Sequence, residues 1–129
     1  MTNNQEKSLF FVEEIPPIDI IQIVKYAGAA GGFNPIHFDE KVAKEAGFPT
    51  VISQGMLVMG IVSRMIEKYV PELSLQHFDS KFVGAVVAGE SLTVESYIVE
   101  ENAENRTCSF VVVNDEGKSK LEGSFIYKK

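Results

Sequence analysis

The chain has few of the features that mark secreted, membrane-spanning or nucleic-acid-binding proteins. Its single cysteine, Cys108, excludes an intrachain disulfide, which predicts a cytoplasmic protein with a buried, unreactive thiol. Residues 1–8 are polar and no apolar run approaches the roughly 20 residues that cross a bilayer, so neither a signal peptide nor a membrane span is predicted. The net charge of −6 makes a general affinity for nucleic acid unexpected.

Histidine is also scarce, which bears on metal binding. His37 and His77 are far apart and no cysteines or carboxylates cluster with them, so we expect no metal site. His77 lies on a predicted strand, and we interpret it as a surface or packing residue. Four lysines cluster near the end of the sequence: Lys118, Lys120, Lys128 and Lys129. We interpret them either as a docking patch for an acidic carrier protein or as a solvated tail and strand face.

The length of 129 residues predicts a single domain, which we place at residues 9–129 after a flexible N-terminus of residues 1–8. Helical spacing predicts a helix capped by Asp19, a short helix over residues 39–46 and a long helix over residues 54–69 capped by Ser53. Alternating or β-branched runs predict strands over residues 9–12, 73–83, 91–101, 107–114 and 118–127. A hairpin turn at residues 114–117 joins the last two strands.

The long helix is apolar on nearly every face, so it must be buried on most sides. A buried helix followed by long antiparallel strands predicts an α+β domain in which the sheet wraps around the helix. Such a sheet leaves an edge to protect, and joining two sheets edge to edge in a dimer would protect it.

The most informative segment runs from Gly31 through Asn34, Pro35 and His37. Pro35 fixes its own φ and pushes Asn34 toward an extended conformation, so His37 follows a rigid turn. An unperturbed histidine has a pKa near 6.5 and can accept and return a proton at neutral pH. His37 is therefore a candidate acid–base residue; the alternative is a histidine that only hydrogen-bonds the turn.

This segment resembles the signature of the MaoC-like hydratase/dehydratase family, Ser/Thr-Gly-Asp-x-Asn-Pro-Ile/Leu-His. Ala30 takes the Ser/Thr position and Gly32 takes the position of the catalytic Asp, whereas five residues match: Gly31, Asn34, Pro35, Ile36 and His37. Gly55-Met56-Leu57 at the start of the long helix and Gly89-Glu90-Ser91-Leu92 before a strand are further matches. The resemblance covers residues 9–127 and implies the hotdog fold, an antiparallel sheet wrapped around a central helix.

The resemblance also implies an activity, the interconversion of trans-2-enoyl and (R)-3-hydroxyacyl thioesters in fatty-acid metabolism. The substrate would be a thioester of CoA or of an acyl carrier protein, and no cofactor would be needed. His37 would act as base and acid, and Gly55 would offer a backbone N–H to the thioester oxygen; Asn34 is a candidate to orient the water without ionising, as a weaker substitute for the missing Asp. The alternative for Gly55 is that it only opens a tightly packed helix. Substrate contacts are expected from Gly32, Phe33, Ile36, Ser53, Gln54 and Met56, and the apolar pattern adds Met59 and Phe82 to the tunnel lining.

Gly32 leaves three hypotheses open. The chain is an active enzyme in which Asn34 or a residue of a partner subunit positions the water. Alternatively, it is a non-catalytic acyl-thioester-binding subunit that pairs with an active hotdog homologue, so that a homodimer and a heterodimer both remain possible. The third hypothesis is a hotdog thioesterase, which would need a carboxylate near the helix start, where this chain has Ser53, Gln54 and Met56.

Overall fold

The computed structural model of the protein describes residues 8–129, which form five strands, three α-helices and a 3₁₀ turn. In chain order these are β1 (Ser8–Ile15), α1 (Ile20–Ala30), the 3₁₀ turn (Pro35–His37), α2 (Glu40–Glu45), α3 (Gly55–Glu67), β2 (Leu75–Phe82), β3 (Leu92–Glu101), β4 (Asn105–Asn114) and β5 (Ser119–Lys128). The predicted flexible N-terminus lies outside the described residues except for Ser8, and there the prediction was wrong because Ser8 pairs with Ile98 in the sheet. No helix within residues 8–129 has the length and apolar character to cross a bilayer.

The strands of the described residues form a single antiparallel sheet in the order β1-β3-β4-β5-β2. Side chains alternate between its faces, so residues in register share a face. Val94 pairs with Val112 and Val112 pairs with Leu121, and all three are buried. β1 and β2 each have one neighbouring strand within residues 8–129, so they are the edges of the sheet.

Helix α3 packs against the buried face of the sheet. Val58, Val62, Met65 and Ile66 are its buried residues, and they share an apolar cluster with sheet residues such as Phe125. Each such side chain contributes about 1.5–3 kcal/mol when it leaves water. A single α+β domain with an antiparallel sheet around a central helix confirms the predicted hotdog fold.

Short local signals set the ends of α1 and of the last hairpin. The Asp19 side chain accepts a hydrogen bond from the Gln22 N–H at 2.8 Å, so it caps α1 as predicted. α1 ends at Gly31, whose φ of 70° lies in the left-handed region that glycine adopts without steric cost. The Asn114 carboxamide oxygen accepts two backbone N–H bonds, which confirms the predicted turn between β4 and β5.

The predicted cap of α3 was wrong. α3 begins at Gly55, and its N-cap is Gln54, whose side chain makes no capping hydrogen bond. Ser53 lies one residue too early, and its hydroxyl donates to the Gln54 carbonyl oxygen at 3.1 Å. The first N–H groups of α3 therefore receive no side-chain cap.

Cys108 lies in β4 and is fully buried. Burial raises the pKa of its thiol to about 12. Since the thiolate is the reactive form of cysteine, this thiol is unreactive near neutral pH, in agreement with the prediction.

Candidate active site

A cleft of about 550 Å³ opens where the 3₁₀ turn, the start of α3 and the end of β2 meet. Its walls come from the turn, from five of residues 52–58, from the end of β2 with the loop that follows it, and from the start of β5. Most of the lining is apolar. The polar or charged side chains of lining residues within residues 8–129 are His37, Ser53 and Lys120.

The 3₁₀ turn brings His37 into this cleft. The Asn34 side chain accepts a hydrogen bond from the Ile36 N–H at 3.1 Å and so caps the turn, with Pro35 at its first position. The His37 ring then lies with Nδ1 2.8 Å from the Ile52 carbonyl oxygen. Because a carbonyl oxygen only accepts, Nδ1 carries the proton, and Nε2 of the neutral ring is left as an acceptor.

Gly55 places unused N–H donors at another wall of the cleft. Gly55 and Met56 are the first two residues of α3, and their N–H groups have no acceptor within residues 8–129. The helix dipole adds positive potential at this end. A Cβ at Gly55 would lie 2.8 Å from Cε1 of Phe82, so only glycine lets the aromatic ring and the helix start approach this closely. The cleft can therefore accept an oxygen that carries partial negative charge.

Ser53 and Gln54, both predicted to contact substrate, point to different surroundings. Ser53 lines the cleft and is only 5% exposed. Gln54 lies outside the cleft lining, and its Nε2 donates to the Ile23 carbonyl oxygen at 3.0 Å. The Gln54 Oε1 atom is buried and has no hydrogen-bond partner in the described part of the chain. Gln54 thus ties α3 to α1 rather than facing the cleft.

The remaining predicted residues divide in the same way. Met56 lines the cleft and is 56% exposed, and Phe82 lines it opposite Gly55. The cleft lining does not include Met59, which packs against the core, nor four residues of the signature segment: Gly32, Phe33, Asn34 and Ile36. Asn34 and Ile36 shape the turn that holds His37, whereas Phe33 is largely exposed.

Sequence reasoning missed the wall formed by residues 83–86 and by Lys120. The Lys120 ammonium group donates to the Ala85 carbonyl oxygen at 2.8 Å and pairs with Glu90 at 3.1 Å, so it is not part of a free basic patch. Burial acts to raise the pKa of Glu90. Hydrogen bonds from Asn114, the Val87 N–H and Lys120 act to lower it and together outweigh burial, so the pKa of Glu90 lies below its ordinary value. The signal for this wall was the Gly-Glu-x-Leu match, because Glu90 fastens the loop to β4 and β5.

No carboxylate lines this cleft among the residues that the structure describes. Asp39, which is close to His37 in sequence, caps α2 by accepting the Lys41 N–H at 3.0 Å. His77, as predicted, lies on the surface, where its Nε2 is 2.7 Å from Asp79. Within residues 8–129, no group of three or more potential metal ligands forms.

Known proteins resemble this chain in both sequence and fold. A 3-hydroxyacyl-thioester dehydratase X from Mycobacterium tuberculosis is 39% identical over 62 residues, which are 44% of this chain and 22% of that protein. The R-hydratase PhaJ1 from Pseudomonas aeruginosa, in its unliganded form, superposes with a TM-score of 0.79 at 24% identity over 92% of this chain and 79% of its own. A chain of the ChsH1-ChsH2 complex from Mycobacterium tuberculosis gives a TM-score of 0.81 at 17% identity over 95% of this chain and 97% of that chain.

The chain spans only part of the curated relatives that it matches, from 4% to 42% of their length. The family model, by contrast, covers most of this chain. Residues 4–119 match the family described as MaoC like domain, and this range includes the signature turn, α3 and the loop that closes the cleft. The protein therefore belongs to the MaoC-like domain family.

Proposed function

We propose that the chain is a hydratase/dehydratase that adds water to trans-2-enoyl thioesters and removes it from (R)-3-hydroxyacyl thioesters. One observation carries the proposal. A histidine whose Nδ1 is fixed by the Ile52 carbonyl shares a largely apolar cleft with the uncapped N-terminus of a buried helix. This arrangement supplies a base and an oxyanion site within one largely apolar cleft of about 550 Å³.

In the hydration direction, His37 Nε2 accepts a proton from water as the water oxygen attacks C3 of the enoyl group. Electron density moves to the thioester oxygen, where the Gly55 N–H and the α3 dipole stabilise the negative charge. The imidazolium then returns its proton to C2, so one water is added across the double bond and His37 is regenerated. These steps require no cofactor, because water and the histidine supply every proton.

Family membership and the relatives support this choice of substrate. The matched proteins include dehydratases and hydratases whose names specify acyl thioesters, acyl carrier protein or CoA. The cleft lining has no carboxylate among the described residues, which disfavours a thioesterase that would use one near the helix start. We place CoA and acyl-carrier thioesters together as the substrate class.

The test is the absorbance of the conjugated thioester of crotonyl-CoA in the presence of the purified chain. The wild-type protein should consume it and form 3-hydroxybutyryl-CoA, whereas His37→Ala should lower kcat by about 10²- to 10⁴-fold through loss of the acid–base group. His77→Ala is the matched control, because His77 lies on the surface and should leave the rate unchanged. Equal rates for the wild type and the His37 variant would refute the proposal, and release of free thiol would favour a thioesterase instead.

A second function, an acyl-thioester-binding subunit of a heterodimer, is favoured by Gly32 and by the edge of β2 that has no neighbouring strand within residues 8–129. The ChsH1-ChsH2 neighbour is itself a complex of two different proteins. Under this alternative the purified chain binds crotonyl-CoA without consuming it and gains activity only with a hotdog partner. Turnover by a homodimer of about twice 14.3 kDa would exclude it.

A further inference from the structure

The proposed reaction needs a second hydrogen-bond acceptor for the attacking water. A water molecule presents two hydrogens, and His37 Nε2 accepts only one of them. The second acceptor orients the lone pair of the water toward C3. In the family signature an Asp supplies it, but this chain has Gly32 there, and Gly32 does not line the cleft.

Ser53 is close in sequence to the residue that holds His37 and to Gly55. It directly follows Ile52, whose carbonyl oxygen holds the His37 ring at 2.8 Å, and it precedes Gly55 by two residues. Its own N–H donates to the Val86 carbonyl oxygen at 2.7 Å, which fixes its backbone to another residue that lines the cleft. Ser53 is 5% exposed and is one of the residues that line the cleft.

The hydrogen of this hydroxyl is already committed. Ser53 Oγ donates at 3.1 Å to the Gln54 carbonyl oxygen, which also accepts the Leu57 and Val58 N–H groups at 3.2 and 3.3 Å. A serine hydroxyl has one hydrogen and two lone pairs, so the oxygen keeps its capacity to accept. No donor to Ser53 Oγ is present within residues 8–129.

We propose that Ser53 is a catalytic residue that accepts the second hydrogen of the attacking water and so replaces the missing carboxylate. This role rests on the proposed hydratase function. One O–H of the water breaks as its proton moves to His37 Nε2, and the other O–H stays intact while it donates to Ser53 Oγ. The water oxygen forms the new bond to C3, and the imidazolium returns the proton to C2, so Ser53 leaves the cycle unchanged.

The other polar groups near the cleft fit this role less well. Lys120 is an ammonium that donates and cannot accept, and it is already held by Ala85 and Glu90. Asn34 uses its carbonyl oxygen to cap the 3₁₀ turn and lies outside the cleft lining. Ser53 is the remaining neutral acceptor among the lining side chains of the described residues.

The test compares steady-state kinetics of crotonyl-CoA hydration for Ser53→Ala and Ser53→Cys with the wild type. Ser53→Ala should lower kcat by about 10²-fold with KM unchanged, because Ser53 holds the water and not the thioester. Ser53→Cys keeps the shape of the side chain, but its thiol is a weak acceptor, so it should lose kcat similarly. Binding of saturated butyryl-CoA should be unaffected in both variants.

Ser96→Ala is the matched control. Ser96 is another buried serine whose hydroxyl donates to a backbone carbonyl, that of Ser109 at 2.9 Å, but it lies in β3 away from the cleft. Its variant should keep the wild-type kcat. Wild-type turnover with unchanged kcat in Ser53→Ala would overturn the role of Ser53 alone, as would full activity of Ser53→Cys. A wild-type chain without turnover would overturn the proposed function and the role of Ser53 together.

Discussion

Gly32 is an open position beside the signature turn. A Cβ built at this residue would meet no heavy atom within 4 Å, and its φ lies outside the left-handed region, so an aspartate can occupy it without strain. A carboxylate there would stand where the family signature has its Asp. Gly32 itself does not line the cleft, but an Asp side chain would extend beyond its backbone and offer the attacking water a charged acceptor, which forms stronger hydrogen bonds than a neutral hydroxyl does.

We therefore expect Gly32→Asp to raise kcat for crotonyl-CoA by about 10²-fold, the lower end of what a positioned acid–base group contributes. Initial rates at saturating substrate measure this change. Gly28→Asp is the control, because Gly28 is exposed in α1, also has open space around it, and receives the same added charge. A Gly32→Asp variant that folds but reacts at the wild-type rate would contradict the expectation.

Among the helices and strands, α1 depends most plainly on a single side chain. Asp19→Ala removes the cap of α1 and leaves the Gln22 N–H without its acceptor. The loss of such a cap costs about 0.5–2 kcal/mol of stability, so the free energy of unfolding should fall by that amount. Urea unfolding followed by circular dichroism measures it. Asp115→Ala is the control, because Asp115 is an exposed turn residue between β4 and β5, and it should change the urea midpoint little. Equal stability of the Asp19 variant and the wild type would show that the cap contributes nothing.

The sequence predicted the helices and turns whose signals come from neighbouring residues. It did not predict the ends of elements that are set by contacts with distant parts of the chain. The Asp19 cap and the turn at Asn114 involve residues within four positions of each other. Ser53 failed as a cap because Ile52 bridges Val87 and the Ser53 N–H bonds Val86, which keeps this segment extended until Gln54. The sequence predicted the short helix α2 but not which residue it buries, which is Ala43, because the fold sets which of its faces turns inward.

The same reason limits how much of the candidate site the sequence could predict. His37 and Gly55 were found because short motifs surround them, and both line the cleft. The wall at residues 83–86 depends on Lys120 and Glu90, which are 30 residues apart and meet only when the sheet forms. Gln54 was predicted to contact substrate because it precedes Gly55 in the motif, but its side chain hydrogen-bonds the Ile23 carbonyl oxygen, 31 residues earlier.

For the whole molecule, the cleft lies beside a sheet edge. Phe82 ends β2, which has a neighbour on one side only within residues 8–129, and its ring is 50% exposed above Gly55. Exposed edges and exposed aromatic rings are both features that proteins cover by association. The proposed dimer would therefore protect the edge of the sheet and close the mouth of the cleft with the same contact.

The stability of the whole molecule should depend on acidic side chains that are held in their charged form. Four carboxylates have pKa values below their ordinary ones: Glu13, Asp79, Glu90 and Glu101. The causes are hydrogen bonds, chiefly from Lys68 to Glu13, from His77 to Asp79 and from Lys129 to Glu101. For Glu90, burial opposes the lowering, but three hydrogen bonds outweigh it.

Because each folded pKa lies below the unfolded one, the unfolded chain binds more protons as the pH falls through the ordinary values of 4.5 for Glu and 3.8 for Asp. The stabilisation is complete above these values and is lost as the pH falls through the folded pKa values. Urea midpoints should thus fall steadily from pH 6 to pH 3. Glu90→Gln should be less stable at pH 6 and should lose less on acidification, since it lacks one titrating group. A midpoint that rises toward pH 3 would contradict this linkage and would mean that these hydrogen bonds do not stabilise the charged carboxylates.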